Sequence, residues 1–137
     1  GVTGTGFTFG SGRHEDFFAS GKGLGERWAA ASGHPAATAR DLFAAAERDP
    51  RAKRIAEDAL LAIASYLGQL VNILDPALMV LGGGIGSVPS ICARLAELTR
   101  PFIFADLARD LPFVPALLGD NACAIGTAAL AHRAATA

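Results

Sequence analysis

Residues 73–88, ILDPALMVLGGGIGSV, constrain this chain more than any other stretch. An apolar helix runs into Asp75-Pro76, and proline ends it because it lacks an amide and clashes with the preceding turn. The five apolar residues 77–81 are of strand length and unbroken, the pattern of a strand covered on both faces. The chain then leaves through Gly82, Gly83 and Gly84 toward a new helix. Without Cβ atoms a ligand can lie against such a main chain, and the helix start adds unpaired amides. Open α/β sheets bind ligands beyond the carboxyl ends of their strands, where this loop would sit. GGGIGS is neither G-x-G-x-x-G nor a Walker loop, since no Lys-Ser/Thr follows. A short glycine cluster also serves as a plain tight turn, so the residues alone leave both readings open.

The elements around this stretch set the fold class. From Glu15 to about Ala31 the apolar residues Phe17, Phe18, Leu24 and Trp28 suit helical segments, with Ser20-Gly21 and Gly23 as a bend between them. Thr38 or Asp41 is placed to cap a short helix ending near Glu47, and Asp49-Pro50 is an N-cap and first-turn pair for the next helix. In that helix Ile55, Ala59, Ile63, Leu67, Leu70 and Leu74 recur three to four apart, and its nearly all-apolar second half predicts burial on most sides. Ser87 is expected to cap a helix from Pro89 to Thr99 that Pro101 stops, and the segment 102–111 has room for a short helix. The run 113–118 reads as a second buried strand, with Pro115 favouring an edge or a bulge. A terminal helix falls within 120–137, from about Asn121 to Ala135; Asp120 is placed to cap it, and Gly126 to allow close packing. Helix, strand, glycine loop, helix, strand, helix predicts an α/β fold with a mostly parallel sheet flanked by helices.

Composition narrows the function classes. At 137 residues, 51% of them hydrophobic, the chain is one domain or a piece of one, with ample material for a core. A net charge of −1 with scattered Lys and Arg argues against nucleic acid or an anionic membrane as main partner. Cys92 and Cys123 lie far apart within apolar helical patterns and are expected to be buried free thiols. No apolar run is of transmembrane length and no secretory signal pattern is present, so a cytoplasmic location is expected. Residues 1–14 are a glycine-rich irregular segment with no element before them, which reads as a chain cut from a longer one.

Three stretches in order, EDFFASGKGL (15–24), LVNILDPALMVLGGGIGS (70–87) and GDNACAIGTAALA (119–131), resemble the carboxyl-terminal half of ROK-family proteins, bacterial sugar kinases and repressors on the actin-like ATPase (ribonuclease H-like) fold. The segment SGHP…AAAERDP resembles the fructokinase branch. The resemblance covers nearly the whole of 1–137. It implies that Glu15 binds sugar hydroxyls, since one carboxylate can accept two at once. It also implies that Gly82, Gly83 and Gly84 lie against ATP, with Mg2+ accompanying the nucleotide. The family's zinc motif, C-x-C-G-x-x-G-C-x-E, is broken: Gly6, Thr8 and Arg13 stand at its cysteine positions and only Gly12 agrees, so a zinc site of that type is expected to be absent. The family's catalytic Asp and its D-x-G-x-T phosphate loop belong to the other half, so no catalytic base is assigned here. The expected activity of the whole protein is ATP-dependent phosphorylation of a hexose, fructose or glucose in type, with a homodimer as the expected assembly. The alternative is a sugar-responsive ROK repressor or a non-catalytic sugar-binding domain, and only in the repressor case is nucleic acid a partner.

Overall fold

The computed structural model describes residues 19–136, of which the side chain of Asp120 is excepted. The chain divides into two compact units, Gly1–Tyr66 and Leu67–Ala137. Glu15, the irregular segment 1–14 and the broken cysteine motif fall outside the described residues.

In the first unit, α1 spans Gly21–Ser32 and α2 spans Ala39–Ala45, and the two pack against each other. Of the bend expected at Ser20, Gly21 and Gly23, Ser20 is a bend between helical Ala19 and α1, whereas the two glycines are helical. The Ser20 hydroxyl accepts from the amide of Gly23 at 3.0 Å, and Gly25 follows within the same helix. The reason for glycine is proximity at one position: a Cβ on Gly25 would stand 2.9 Å from the carbonyl oxygen of Ala37. Of the two candidates for capping α2, Thr38 is the cap and Asp41 its reciprocal partner. Thr38 Oγ1 accepts from the Asp41 amide, and the Asp41 carboxylate accepts from the Thr38 amide at 2.8 Å. Leu24 and Leu42 are fully buried and Trp28 nearly so.

Helix α3, Pro50–Leu74, begins in the first unit and ends in the second. Asp49 caps it, accepting from the Arg51 amide at 2.8 Å. The Arg51 guanidinium returns to the same carboxylate through Nε and Nη2, donates through Nη1 to the carbonyl of Ala31, and lies 5.9 Å from the centroid of Trp28. These hydrogen bonds from Arg51 hold the Asp49 carboxyl at about 2, below its ordinary 3.8. A depressed carboxyl stabilises the fold above its ordinary value, and that contribution is lost as pH falls from about 4 through about 2. Acid titration followed by the fluorescence of Trp28 is therefore expected to show a transition in that window. Asp49→Asn is expected to remove that transition and to keep the neutral-pH helix.

The buried line of α3 is made mostly of small residues, Ala52, Ala56, Ala59, Ala62 and Ala64, with Leu60 and Val71. The expectation of burial on most sides is not met in the second half: Leu70, Ile73 and Leu74 are 44%, 77% and 67% exposed. Periodicity identified an apolar face that is buried at Ala59 but left exposed, among the described residues, at Leu70 and Leu74.

The second unit is built on Val71, Ile103 and Leu111, with Met79, Ala108 and Phe113 against them. Asp75 ends α3 at a positive φ of 44°, which a short polar residue tolerates, and Pro76 follows. β1 is Met79–Leu81 and β2 is Phe113–Pro115, paired in parallel, Val80 opposite Val114. Between them come a single helical turn α4, Gly83–Gly86, and α5, Pro89–Thr99, which packs on β2. The predicted α/β order is present, but helices dominate, and the described sheet has only these two short strands. Nor is β1 covered on both faces, for Val80 is 55% exposed. Short 3-10 turns occupy Arg100–Phe102 and Asp106–Asp110, and the second is held by Arg109, which bonds the Ile103 carbonyl and Asp106.

The clamp between α3 and this segment explains the Asn in the N-x-L-D-P run. Asn72 donates to the carbonyl of Phe102 at 2.8 Å and accepts from the amide of Phe104 at 2.9 Å. One turn earlier, Gly68 lets Phe102 lie directly on the helix. α6, Ala122–Thr136, follows a turn at Gly119–Asn121. It buries none of its residues, and a Cβ on Gly126 would meet nothing within 4 Å, so close packing is not the reason for that glycine among the described residues. Of the two cysteines Cys92 is buried, where desolvation raises its thiol pKa, and Cys123 is exposed against expectation.

Candidate functional site

Strand β1 delivers the chain to Gly82, Gly83 and Gly84, and all three are exposed. Gly82 is extended, with φ −113° and ψ −171°, and carries the line of the strand one residue further. Gly83 turns the chain at φ +74°, a region where a residue with a Cβ is strained. A Cβ on Gly83 or Gly84 would meet nothing within 4 Å, and one on Gly82 would meet only the Ala116 methyl at 3.8 Å. The bend is thus exposed, and among the described residues no side chain comes within contact of a Cβ built on Gly83 or Gly84. Gly86, by contrast, is buried, and a Cβ there would stand 3.1 Å from that of Leu81. The last glycine of the run serves packing, and the first three present bare main chain.

The helix expected after the glycines, Pro89 to Thr99, is present as α5, but a separate turn, α4, precedes it. α4 is one turn, so its aligned peptide dipoles are few and the charge at its start is small. What the loop offers an anion is chiefly the first amides of the turn, which have no intrahelical acceptor.

Ser87 departs from expectation. It does not cap α5: Val88 is the cap, extended at φ −80° and ψ 118° because Pro89 follows it. Ser87 ends α4 instead, and its buried Oγ has no hydrogen-bond partner among the described residues. The pattern Ser-x-Pro signals a cap, and the constraint proline places on Val88 is what moves it. Asp120, the other candidate cap, lies in the turn Gly119–Asn121, where Gly119 has φ +49°.

Two open depressions of 360 and 430 Å³ lie in the first unit, and Pro35 and Ala37 line both. Lys22, Glu26 and Thr38 line one; Trp28, His34 and Asp41 line the other. Asp41 is held below its ordinary pKa by its hydrogen bonds from Thr38, and neither depression pairs a nucleophile with a base. Among the described residues no group of three or more His, Cys, Asp or Glu is placed to hold a metal ion. No helix among them is long and apolar enough to cross a membrane.

Comparison with known proteins gives a consistent relationship. Residues 12–134 match the ROK family. The chain is 33% identical over 116 residues to the N-acetylgalactosamine kinase AgaK of Shewanella sp. (strain ANA-3), covering 84% of this chain and 37% of that protein. Among solved structures it is similar to the ROK hexokinase from Thermus thermophilus, with a TM-score of 0.63 and 26% identity, over 88% of this chain and 41% of the hexokinase. The chain therefore spans about two fifths of the length of the relatives it matches.

Proposed function

The chain belongs to the ROK family, and from that premise we propose that it is the carboxyl-terminal portion of an ATP-dependent sugar kinase. The observation that carries the reading is the open main chain at Gly82–Gly84, set at the carboxyl end of a parallel strand. In this reading the nucleotide of Mg-ATP lies against those glycines, because no Cβ keeps it away and the first amides of the turn are free to donate. Glu15 accepts hydrogen bonds from two sugar hydroxyls and fixes the hexose. A carboxylate outside this chain takes the proton of the reacting hydroxyl. That oxygen attacks the γ-phosphorus, the bond to the bridging β–γ oxygen breaks, and ADP leaves with the electron pair. Little covalent work falls to the protein, and rate comes from alignment and from neutralising charge on the phosphoryl oxygens.

The acceptor is a hexose or an N-acetylhexosamine, the classes named for the two relatives, with a fructose- or glucose-type hexose as the finer reading from SGHP…AAAERDP. A cytoplasmic location and a homodimer belong to the same proposal. Phe104 and Leu107, 85% and 95% exposed on a segment held by Asn72 and Arg109, would supply apolar area for the pairing. Gly6, Thr8 and Arg13 at the family's cysteine positions favour one second reading, a ROK repressor that binds sugar without turning it over.

A coupled assay of ADP release separates these. The full-length protein is expected to release ADP only when an accepted sugar is present, across a panel of fructose, glucose and N-acetylgalactosamine. The 137-residue chain alone is expected to release none. Glu15→Gln in the full-length protein is expected to raise the sugar KM at least about tenfold, the cost of weakening a charge-assisted hydrogen bond. Hexose-dependent turnover by the isolated chain would overturn the division of labour, and sugar binding without any turnover by the full-length protein would favour the repressor.

A further inference from the structure

The volume that Gly82 leaves empty has one close neighbour. Its own chain neighbours aside, a Cβ built there would stand 3.8 Å from the Ala116 methyl and meet nothing else within 4 Å among the described residues. The ladder explains the contact. Its last rung pairs Leu81 with Pro115; beyond it Gly82 is still extended, and the Ala116 amide donates to the Leu81 carbonyl at 2.8 Å. Gly82 and Ala116 therefore stand side by side as the next rung, with their side-chain positions on the same face.

Ala116 is held at both of its main-chain groups. Its amide is tied to β1, and its carbonyl accepts from the amide of Gly119 at 3.2 Å. The turn that follows, Gly119–Asn121, packs on α4, so a second loop is brought to the glycine bend. A ligand resting on the main chain of Gly82 takes the volume a Cβ would fill, and that volume is in van der Waals contact with the Ala116 methyl. A methyl offers no hydrogen bond. The contact suits an uncharged part of a nucleotide and leaves the phosphates to the amides of the turn. A longer side chain at 116 has the reach to take the same volume, since each added carbon extends it by about 1.5 Å.

We propose that Ala116 sets the clearance at the nucleotide loop: a side chain no larger than that of alanine or serine at this position lets the nucleotide rest on Gly82. The proposal rests on the reading of Gly82–Gly84 as a nucleotide site, and it adds a residue from the end of β2 to that site.

Direct titration of the full-length protein with ATP tests it. Ala116→Leu is expected to weaken ATP binding at least about tenfold. Sugar affinity and the ligand-free unfolding midpoint are expected to stay at the parent's values, and Ala116→Ser is expected to bind ATP as the parent does. Unchanged ATP affinity in a folded Ala116→Leu protein overturns the proposal. If Gly84→Val weakens ATP binding in the same series, the bend remains the nucleotide site and only the role of Ala116 is lost. If Gly84→Val is silent too, the reading beneath both fails. Equal losses of ATP and sugar affinity, or a loss accompanied by a lower midpoint, assign Ala116 to the fold alone and overturn the proposal as well. Should Ala116→Leu fail to fold, Ala116→Val decides by the same readouts, with a loss of at least about threefold expected.

Discussion

Gly68→Ala lowers the stability of the second unit by about 2–3 kcal/mol, although helix propensity by itself predicts a gain of up to about 1 kcal/mol. The added Cβ runs into the Cβ of Phe102 and lies 3.2 Å from that residue's main-chain carbon and oxygen. Backbone cannot rotate away as a side chain end can. Phe102 is moreover fixed by the hydrogen bond that its carbonyl accepts from Asn72. Overpacking therefore exceeds propensity, and the sign of the effect decides between them. Gly126→Ala is the matched control, because that glycine also lies within a helix but has open space around it. It is expected to stabilise α6 by about 0.5–1 kcal/mol. Urea unfolding of the two variants, followed by circular dichroism, should move the midpoint in opposite directions. A gain of stability in Gly68→Ala would show that Phe102 does not press on α3 as described.

Gly84→Val is expected to weaken nucleotide binding by the full-length protein at least about tenfold, or ~1.4 kcal/mol, with little change in stability. Its Cβ enters empty space, so only a ligand lying on the main chain would meet it. Gly83→Val is a less clean probe, because φ +74° strains any side chain whether or not a ligand is present. Titration with ATP should show a loss for both variants, and thermal unfolding should show a loss of stability only for Gly83→Val. Unchanged affinity in a folded Gly84→Val protein would remove the glycines from the nucleotide site and leave them as a turn.

Local chemistry was the part of the fold that the sequence made legible. Asp49-Pro50, Thr38 with Asp41, and Asp75-Pro76 mark helix ends because each satisfies or removes specific amides within a few residues. Long-range proximity was not legible. The bend expected at Ser20, Gly21 and Gly23 narrows to Ser20, and nothing in α1 itself says that the carbonyl of Ala37 stands against Gly25. The apolar period of α3 was visible, yet the exposure of Ile73 and Leu74 depends on what lies across from them. The same division holds at the candidate site. Three consecutive glycines marked the open bend, whereas the single-turn length of α4 and the unpartnered hydroxyl of Ser87 depend on how Pro89 restricts Val88. Glu15 was singled out by resemblance and lies outside the described residues.

The proline at the end of β2 also governs how the isolated chain would misassociate. Ribbons and fibrils extend indefinitely only when every added molecule exposes a fresh docking rim like the one it has just covered. Among the described residues the outer rim of β1 carries no partner strand, and the opposite rim ends at Pro115, which has no amide to give. Stray edge-to-edge association in a concentrated stock of the chain should therefore halt at pairs.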